Sequence, residues 1–210
     1  FHFITGSNRF YLNRTFSDSI FTPVVQRSEL AYNAVGFSLG AVYHPIEPLL
    51  LTAMLRHDGQ MNVDRDSLEA YTYELPWTLA GSAQYQLGTR GTINAEASYT
   101  TWADAHAEIV ANGGVGAENT LNASLGAELA TNPAQPGKLP LRVGIRSRQL
   151  PFPLTPGQQP SEFSVAGGTG ARFAKGHAAA DLALQRVWRK ADGGFSEDAW
   201  ILSLGLTLKP

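Results

Sequence analysis

The chain has 210 residues, enough for one all-β domain, with charged residues at 16% against the roughly 25% of ordinary soluble domains and an ordinary apolar share of 43%. A net charge of −2 gives no general attraction to nucleic acid, and the absence of cysteine excludes disulfides, thiolate catalysis and cysteine-ligated metal sites. The longest unbroken apolar run is four residues, Ala199 to Leu202, which excludes a membrane-spanning helix of about 20 residues.

In chain order, residues 2 to 14 predict a first strand, although the alternation there is poor. From Val35 the period is two: Val35, Phe37, Leu39, Ala41 and Tyr43 alternate with Gly36, Ser38, Gly40, Val42 and His44. The alternation returns at Leu49–Arg56, Trp77–Leu87, Ile93–Thr100, Leu121–Leu129, Leu139–Ile145, Phe163–Phe173, Ala178–Leu184 and Trp200–Leu208. Such strands present one side to an apolar medium and the other to a polar one. Short turns are expected at His44–Pro48, Gly88–Gly91 and Ala174–Gly176, and a somewhat longer one at Thr131–Lys138. Long connections are expected at 15–28, 57–70, 102–117, 150–161 and 190–196, with helical turns within Ala103–Asn112. Strict alternation of short and long connections is the layout of a transmembrane meander.

The pattern predicts an all-β, antiparallel transmembrane β-barrel of about ten strands. A soluble β-sandwich also alternates, but it uses Greek-key connections and strands of about 5–6 residues, whereas most strands here run about 10 to 16. Tyr43, Trp77, Tyr99, Phe163, Phe173, Trp188 and Trp200 lie near strand ends, as interfacial girdles require.

The segments Pro76–Leu87 and Gly91–Trp102 carry a family resemblance. A proline opens a strand, a short turn follows, and the return strand holds an acid and ends in aromatics and a tryptophan. In the same order come Ser28–Pro45, then Leu139–Arg146 with the loop Leu150-Pro-Phe-Pro153, then Ser161–Phe173 with Ala180–Leu184. Together they make residues 28–210 similar to the FadL-like long-chain fatty acid and hydrocarbon transporters of bacterial outer membranes. The resemblance implies a barrel of about fourteen strands in the outer membrane of a Gram-negative-type bacterium. It also implies that residues 1–210 are one wall domain from the C-terminal portion of a longer protein, lacking an N-terminal hatch and the first strands. A self-closed barrel of about ten strands is the alternative. The implied activity is passive uptake of hydrophobic small molecules such as long-chain fatty acids. The other reading is a structural barrel that docks partner proteins through its external loops. The chain ends in Lys209-Pro210, without the terminal aromatic common in outer-membrane barrels.

Parity places Arg56, Glu96, Glu128, Arg142, Arg146, Arg148, Arg172 and Asp181 on the lumenal face. Arg142, Arg146 and Arg148 form a basic ladder suited to bidentate contact with a carboxylate. Because acids and bases nearly balance on that face, pairing of the arginines with Glu96, Glu128 and Asp181 is favoured over a docking role. The candidate ligand contacts are Arg146, Arg148 and Arg142 for a head group, and Met54, Trp102, Leu150 and Phe152 for an apolar chain. Outer-membrane lipid and lipopolysaccharide are the expected surroundings. The five histidines have no metal-ligand spacing and read as solvated surface residues. Asp64, Asp66 and Glu69 form an acidic tip without calcium-loop spacing. The glycine runs 113–116 and 167–170 are not phosphate loops. No serine and histidine share a strand in compatible parity with an acid, so neither lipase chemistry nor any cofactor or metal is expected.

Overall fold

The computed structural model describes residues 1–14, 24–66, 68–135, 138–173, 177–191 and 193–208. The period-two segments all become strands, and two strands not expected from the period join them: β1 (His2–Arg14), β2 (Val24–Ile46), β3 (Leu49–His57), β4 (Gln60–Arg65), β5 (Leu68–Glu74), β6 (Trp77–Gln86), β7 (Gly91–Thr100), β8 (Thr120–Leu129), β9 (Lys138–Gln149), β10 (Ser161–Phe173), β11 (Ala178–Ala191) and β12 (Phe195–Leu208), of which β4 and β5 are the two additions. Between β7 and β8 a 3-10 turn (Trp102–Ala105) runs into α1 (His106–Ala111), the helical turns expected there. No helix among the described residues is long and apolar enough to cross a membrane.

All twelve strands belong to one antiparallel sheet, ordered β12-β11-β10-β9-β8-β7-β6-β3-β2, with β1 and β4 also paired to β2 and β5 to β4. A sandwich would need a second sheet packed on the first, and none exists among the described residues. Among the described residues the sheet does not close on itself. The outer edge of β12, and the edge of Phe37–Ile46 in β2 away from β3, have no strand partner among the described residues.

Two expectations from the sequence are corrected. Residues 57–70 are not a loop. β3 with β4, and β6 with β5, hold one common register from Leu49↔Tyr85 through Val63↔Tyr71, so they form a single long hairpin. Counting each in-line pair once turns the twelve strands into ten arms. The alternation of polar and apolar residues weakens beyond His57 because this outer hairpin carries charges on both faces, and the strand signal fades with it. The second correction concerns 190–196. It is not a long connection, because β11 and β12 pair up to Ala191↔Phe195 and a turn at Gly193-Gly194 joins them. The expected turn at Ala174–Gly176 lies outside the described residues.

The long hairpin bends at Asp58-Gly59. Against β2 the register shifts by one residue, from Phe37↔His57 to Asn33↔Asn62, which is a β-bulge. Gly59 there has φ +67°, a conformation that side chains resist. A Cβ on it would also lie 2.5 Å from the Val35 carbonyl oxygen. Asp58 is bonded to His2 of β1 and, at 2.9 Å, to Arg56 Nε, so one carboxylate ties three elements together. Burial works against the Asp58 charge, but the hydrogen bonds and charges of Arg56 and His2 outweigh it and hold its carboxyl below the ordinary Asp value. This tie is present above about pH 4 and is lost as pH falls through the lowered value.

The two faces of the sheet differ as the parity predicts. On one face Leu125, Ile145, Leu182, Leu184, Leu202 and Leu204 stand exposed, Leu204 by 74%. The other face carries Ser, Thr, Asn, Gln and charged residues in register. Among the described residues, no large side chain is fully buried, and the buried apolar set is Ala34, Val63, Ala105, Ala117, Ala178 and Val187. The fold therefore has no conventional core. Its cohesion is the hydrogen-bonded ladder, with side chains meeting across neighbouring strands.

Replacing Gly59 by alanine is expected to cost distinctly more than replacing Gly88. Both have positive φ (+67° and +57°), but a Cβ at Gly88 meets nothing within 4 Å. The left-handed backbone alone costs about 1–2 kcal/mol at either site, and only Gly59 adds the collision with Val35. Equilibrium unfolding midpoints in detergent measure the difference; equal losses would mean that the bulge adapts freely.

Candidate functional site

At the long-connection end, two loops lean over the polar face. The segment after β7 and the proline loop after β9 are joined by Glu118 N donating to the Pro151 carbonyl (2.8 Å) and Gln159 Nε2 to the Asn119 carbonyl (2.7 Å). Ala103 N donates to Asn119 Oδ1 at 2.9 Å, and the Trp102 and Phe152 rings meet edge to face at 5.2 Å. Prolines at 151 and 153 withhold backbone donors and favour extended neighbours, so this loop is pinned by packing and few bonds. His106 is exposed, as expected. It holds the inner turn of the first loop, its Nδ1 lying 2.9 Å from the Ala117 carbonyl.

Beneath these loops lies a cavity of about 290 Å³ lined by Trp102, Leu150 and Pro151 above and by Glu96, Arg146 and Arg148 below. It opens toward a second cavity of about 600 Å³ along the polar face, lined among others by Leu50, Thr52, Ser82 and Gln185. Glu96, Ser124 and Arg146 line both. Four candidates from the sequence, Arg146, Arg148, Trp102 and Leu150, thus meet in one place, and Phe152 supports Trp102 from outside it. Met54 stands on the polar face opposite Gly40 and Ala80, apart from the upper cavity. Arg142 lies near the short-turn end, in a separate cavity of about 250 Å³ with Glu128 and Asp181.

The three arginines of the ladder have different partners. Arg142 is bound on both sides, to Glu128 Oε2 at 2.6 Å and to Asp181. Arg148 meets Glu162, where Nη2 donates at 3.0 Å; its Nε is close, at 2.7 Å, but not aligned as a hydrogen bond. Arg189 binds the same carboxylate at 2.9 Å and Glu197 at 3.1 Å. The expected pairing therefore holds for Arg142, whereas Arg148 is paired with Glu162, an acid outside the expected set. It fails for Arg146, which has no ion pair among the described residues and is exposed to both cavities. Glu96, expected as a partner, is likewise unpaired.

Glu162 is the residue that reading the sequence missed. It is 5% exposed and serves two arginines. Its parity, two residues before Ser164 on β10, would have placed it on the polar face. The histidine expectation also needs correction. His2 binds Asp58, and His57 stacks on Trp77 at 4.0 Å, whereas His44 and His177 are exposed as expected. At the acidic tip Asp66 accepts from Glu29 N at 2.8 Å and from Ser28 Oγ, which makes it a structural clasp. Among the described residues, no group of three or more His, Asp or Glu side chains is placed to hold a metal ion.

The apolar face carries its own depression, about 1120 Å³, lined by Leu125, Val143, Ile145 and Leu184 and bordered by Trp188 and Trp200. At its rim Arg186 lies 5.0 Å from the Trp200 ring and 5.7 Å from Trp188 while bonded to Asp198.

Arg148→Ala is expected to lower stability by about 1–3 kcal/mol, because it strips one partner from the buried Glu162 carboxylate. Arg146→Ala, which breaks no pair, should stay within about 0.5 kcal/mol of the parent. Denaturant midpoints of the two variants check this, and a comparable loss at Arg146 would show that it is structural.

No known family profile matches the chain, and no curated protein is found to be similar to it.

Proposed function

We propose that the sheet is part of the wall of a β-barrel of about fourteen strands in the outer membrane of a Gram-negative-type bacterium. We further propose that it belongs to the FadL-like transporters and passes hydrophobic small molecules, foremost long-chain fatty acids, without cofactor or covalent chemistry. One observation carries the membrane reading: a whole face of exposed leucine, isoleucine, valine and alanine that nothing among the described residues covers. In water such a face far exceeds the few hundred Å² of apolar patch that soluble monomers expose. In lipid it is the natural surface of a barrel, and every interior strand already has its backbone groups paired, as a bilayer demands.

Aromatic residues support the placement. Tyr43 and Tyr85 stand near the short turns, while Trp77, Tyr99, Phe163 and Trp188 stand near the other end, on the apolar face. Rings with polar tips fit the two interfaces of a bilayer. Arg186, held over Trp188 and Trp200, suits the same boundary, where outer-leaflet lipid or lipopolysaccharide meets water.

The uptake reading rests on the upper cavity. Trp102 and Leu150 offer an apolar lid, and Arg146 beneath them is a cation that no side chain among the described residues neutralises. An amphiphile whose carboxylate met Arg146 and whose chain lay against the lid would have an intermediate site between the outer medium and the barrel interior. The second reading, a barrel that docks partner proteins, draws on β1, β4, β5 and the first half of β2. These project past Trp77 with Arg27, Glu29 and Asp64 on one face and Arg65 on the other. A segment charged on both faces belongs in water, above the bilayer.

Two expected outcomes test these readings. Leu125→Arg or Leu204→Arg should cost about 2–4 kcal/mol if either lies near the midplane, whereas Ser124→Arg or Gln84→Arg should cost much less. Equal costs on both faces would contradict the membrane assignment. In binding assays with oleate and an uncharged alkane, Arg146→Ala should weaken oleate by about tenfold or more and leave the alkane unchanged. If neither ligand binds the intact parent protein, the partner-docking reading replaces uptake.

A further inference from the structure

Two opposite charges on the polar face go unanswered. Among the described residues, Glu96 and Arg146 form no ion pair, although Arg142 and Arg148 on the same strand as Arg146 are both paired. Both side chains are exposed, and both line the upper and lower cavities at the point where these adjoin. The register puts Ser124 of β8 directly between them, opposite Glu96 on one side and Arg146 on the other.

That placement has a length. Second-neighbour strands stand about 10 Å apart, so the two side chains rise from bases that far apart with Ser124 between them. A lone carboxylate bound to Arg146 would sit in the repulsive field of Glu96 and leave that acid unsatisfied. A head group that presents an anion to Arg146 and a cation to Glu96 meets both charges at once. Ser98, Asn122 and Ser124 line the same space and can bond its remaining polar atoms, and Asn122 has a buried Oδ1 without a donor among the described residues.

We infer that the upper cavity selects zwitterionic amphiphiles, with phosphate or carboxylate held by Arg146, ammonium held by Glu96, and the chain directed toward Trp102 and Leu150. This rests on the uptake reading and narrows its ligand class. Opposite charges fixed on two different strands of a rigid sheet impose an orientation on the head group, which a single arginine cannot do.

Three ligands that share one chain separate the possibilities: oleate, oleyl alcohol and the lysophosphatidylethanolamine that carries an oleoyl chain. Binding is measured on the full chain held in amphipol, for the parent and for Glu96→Gln, with circular dichroism to verify that the variant keeps its strand content. The parent should bind the lysophosphatidylethanolamine about tenfold more tightly than oleate, and Glu96→Gln should reverse that order by weakening the zwitterion and strengthening oleate. Oleate binding the parent as tightly as the zwitterion, or a ratio unchanged by Glu96→Gln, overturns the inference while leaving uptake standing. Failure of all three ligands to bind the folded parent overturns both.

Discussion

A sheet whose two faces need different surroundings governs the rest of this structure. Each long strand places apolar side chains on one side and hydroxyl, amide or charged groups on the other, and among the described residues no layer packs on the apolar side. A soluble sheet resolves that asymmetry by burying its apolar face against a helix or a second sheet. Here α1 is too short and too far out, since it lies over β5 and the first loop rather than over the apolar face. The burden of holding the fold together falls on the backbone ladder. That explains why the few buried residues are small, such as Ala34, Ala117 and Ala178, and why glycines recur on the polar face at Gly126, Gly144 and Gly168, where neighbouring strands pass side by side.

Charge on the polar face follows from the same geometry. A row of arginines on one strand is stabilised where acids on the neighbouring strands meet them, and register decides which do. Glu128 lies opposite Arg142, and Glu162 lies opposite Arg148. Arg146 faces Ser124 on one side and Ser164 on the other, and so receives no carboxylate. Two residues along the strand thus separate a locked pair from an open cation, and the open cation lies where the loops close over the face.

Much of this was legible in the residues, for identifiable reasons. Strands that face two media must alternate, so β2 beyond Val35, β3 and β6 to β12 were readable from period alone, together with the face that each side chain occupies. The outer hairpin was not, because Asp64, Arg65, Asp66 and Glu74 erase the apolar stripe in the part that leaves the wall, and only cross-strand pairing defines it. The tight join at Gly193-Gly194 was hidden because polar residues at strand ends resemble a loop. For the site, parity correctly put Arg142, Arg146 and Arg148 on one face, yet it could not tell which would be paired. That depends on the stagger between strands, which a bulge such as the one at Asp58-Gly59 resets and which one strand's sequence does not encode. Trp102 with Phe152 came together because two separate loops cross, a long-range contact with no local signature.

The most direct test of the account uses the absence of native cysteine. Single cysteines placed at each position of β8, Thr120 to Leu129, and spin-labelled in liposome-reconstituted protein report contact with lipid through oxygen and contact with water through a polar nickel chelate. The account predicts a period of two: oxygen contact peaks at 121, 123, 125, 127 and 129, and nickel contact at the positions between. Nickel access at every position, or protection of both faces from lipid, would contradict it.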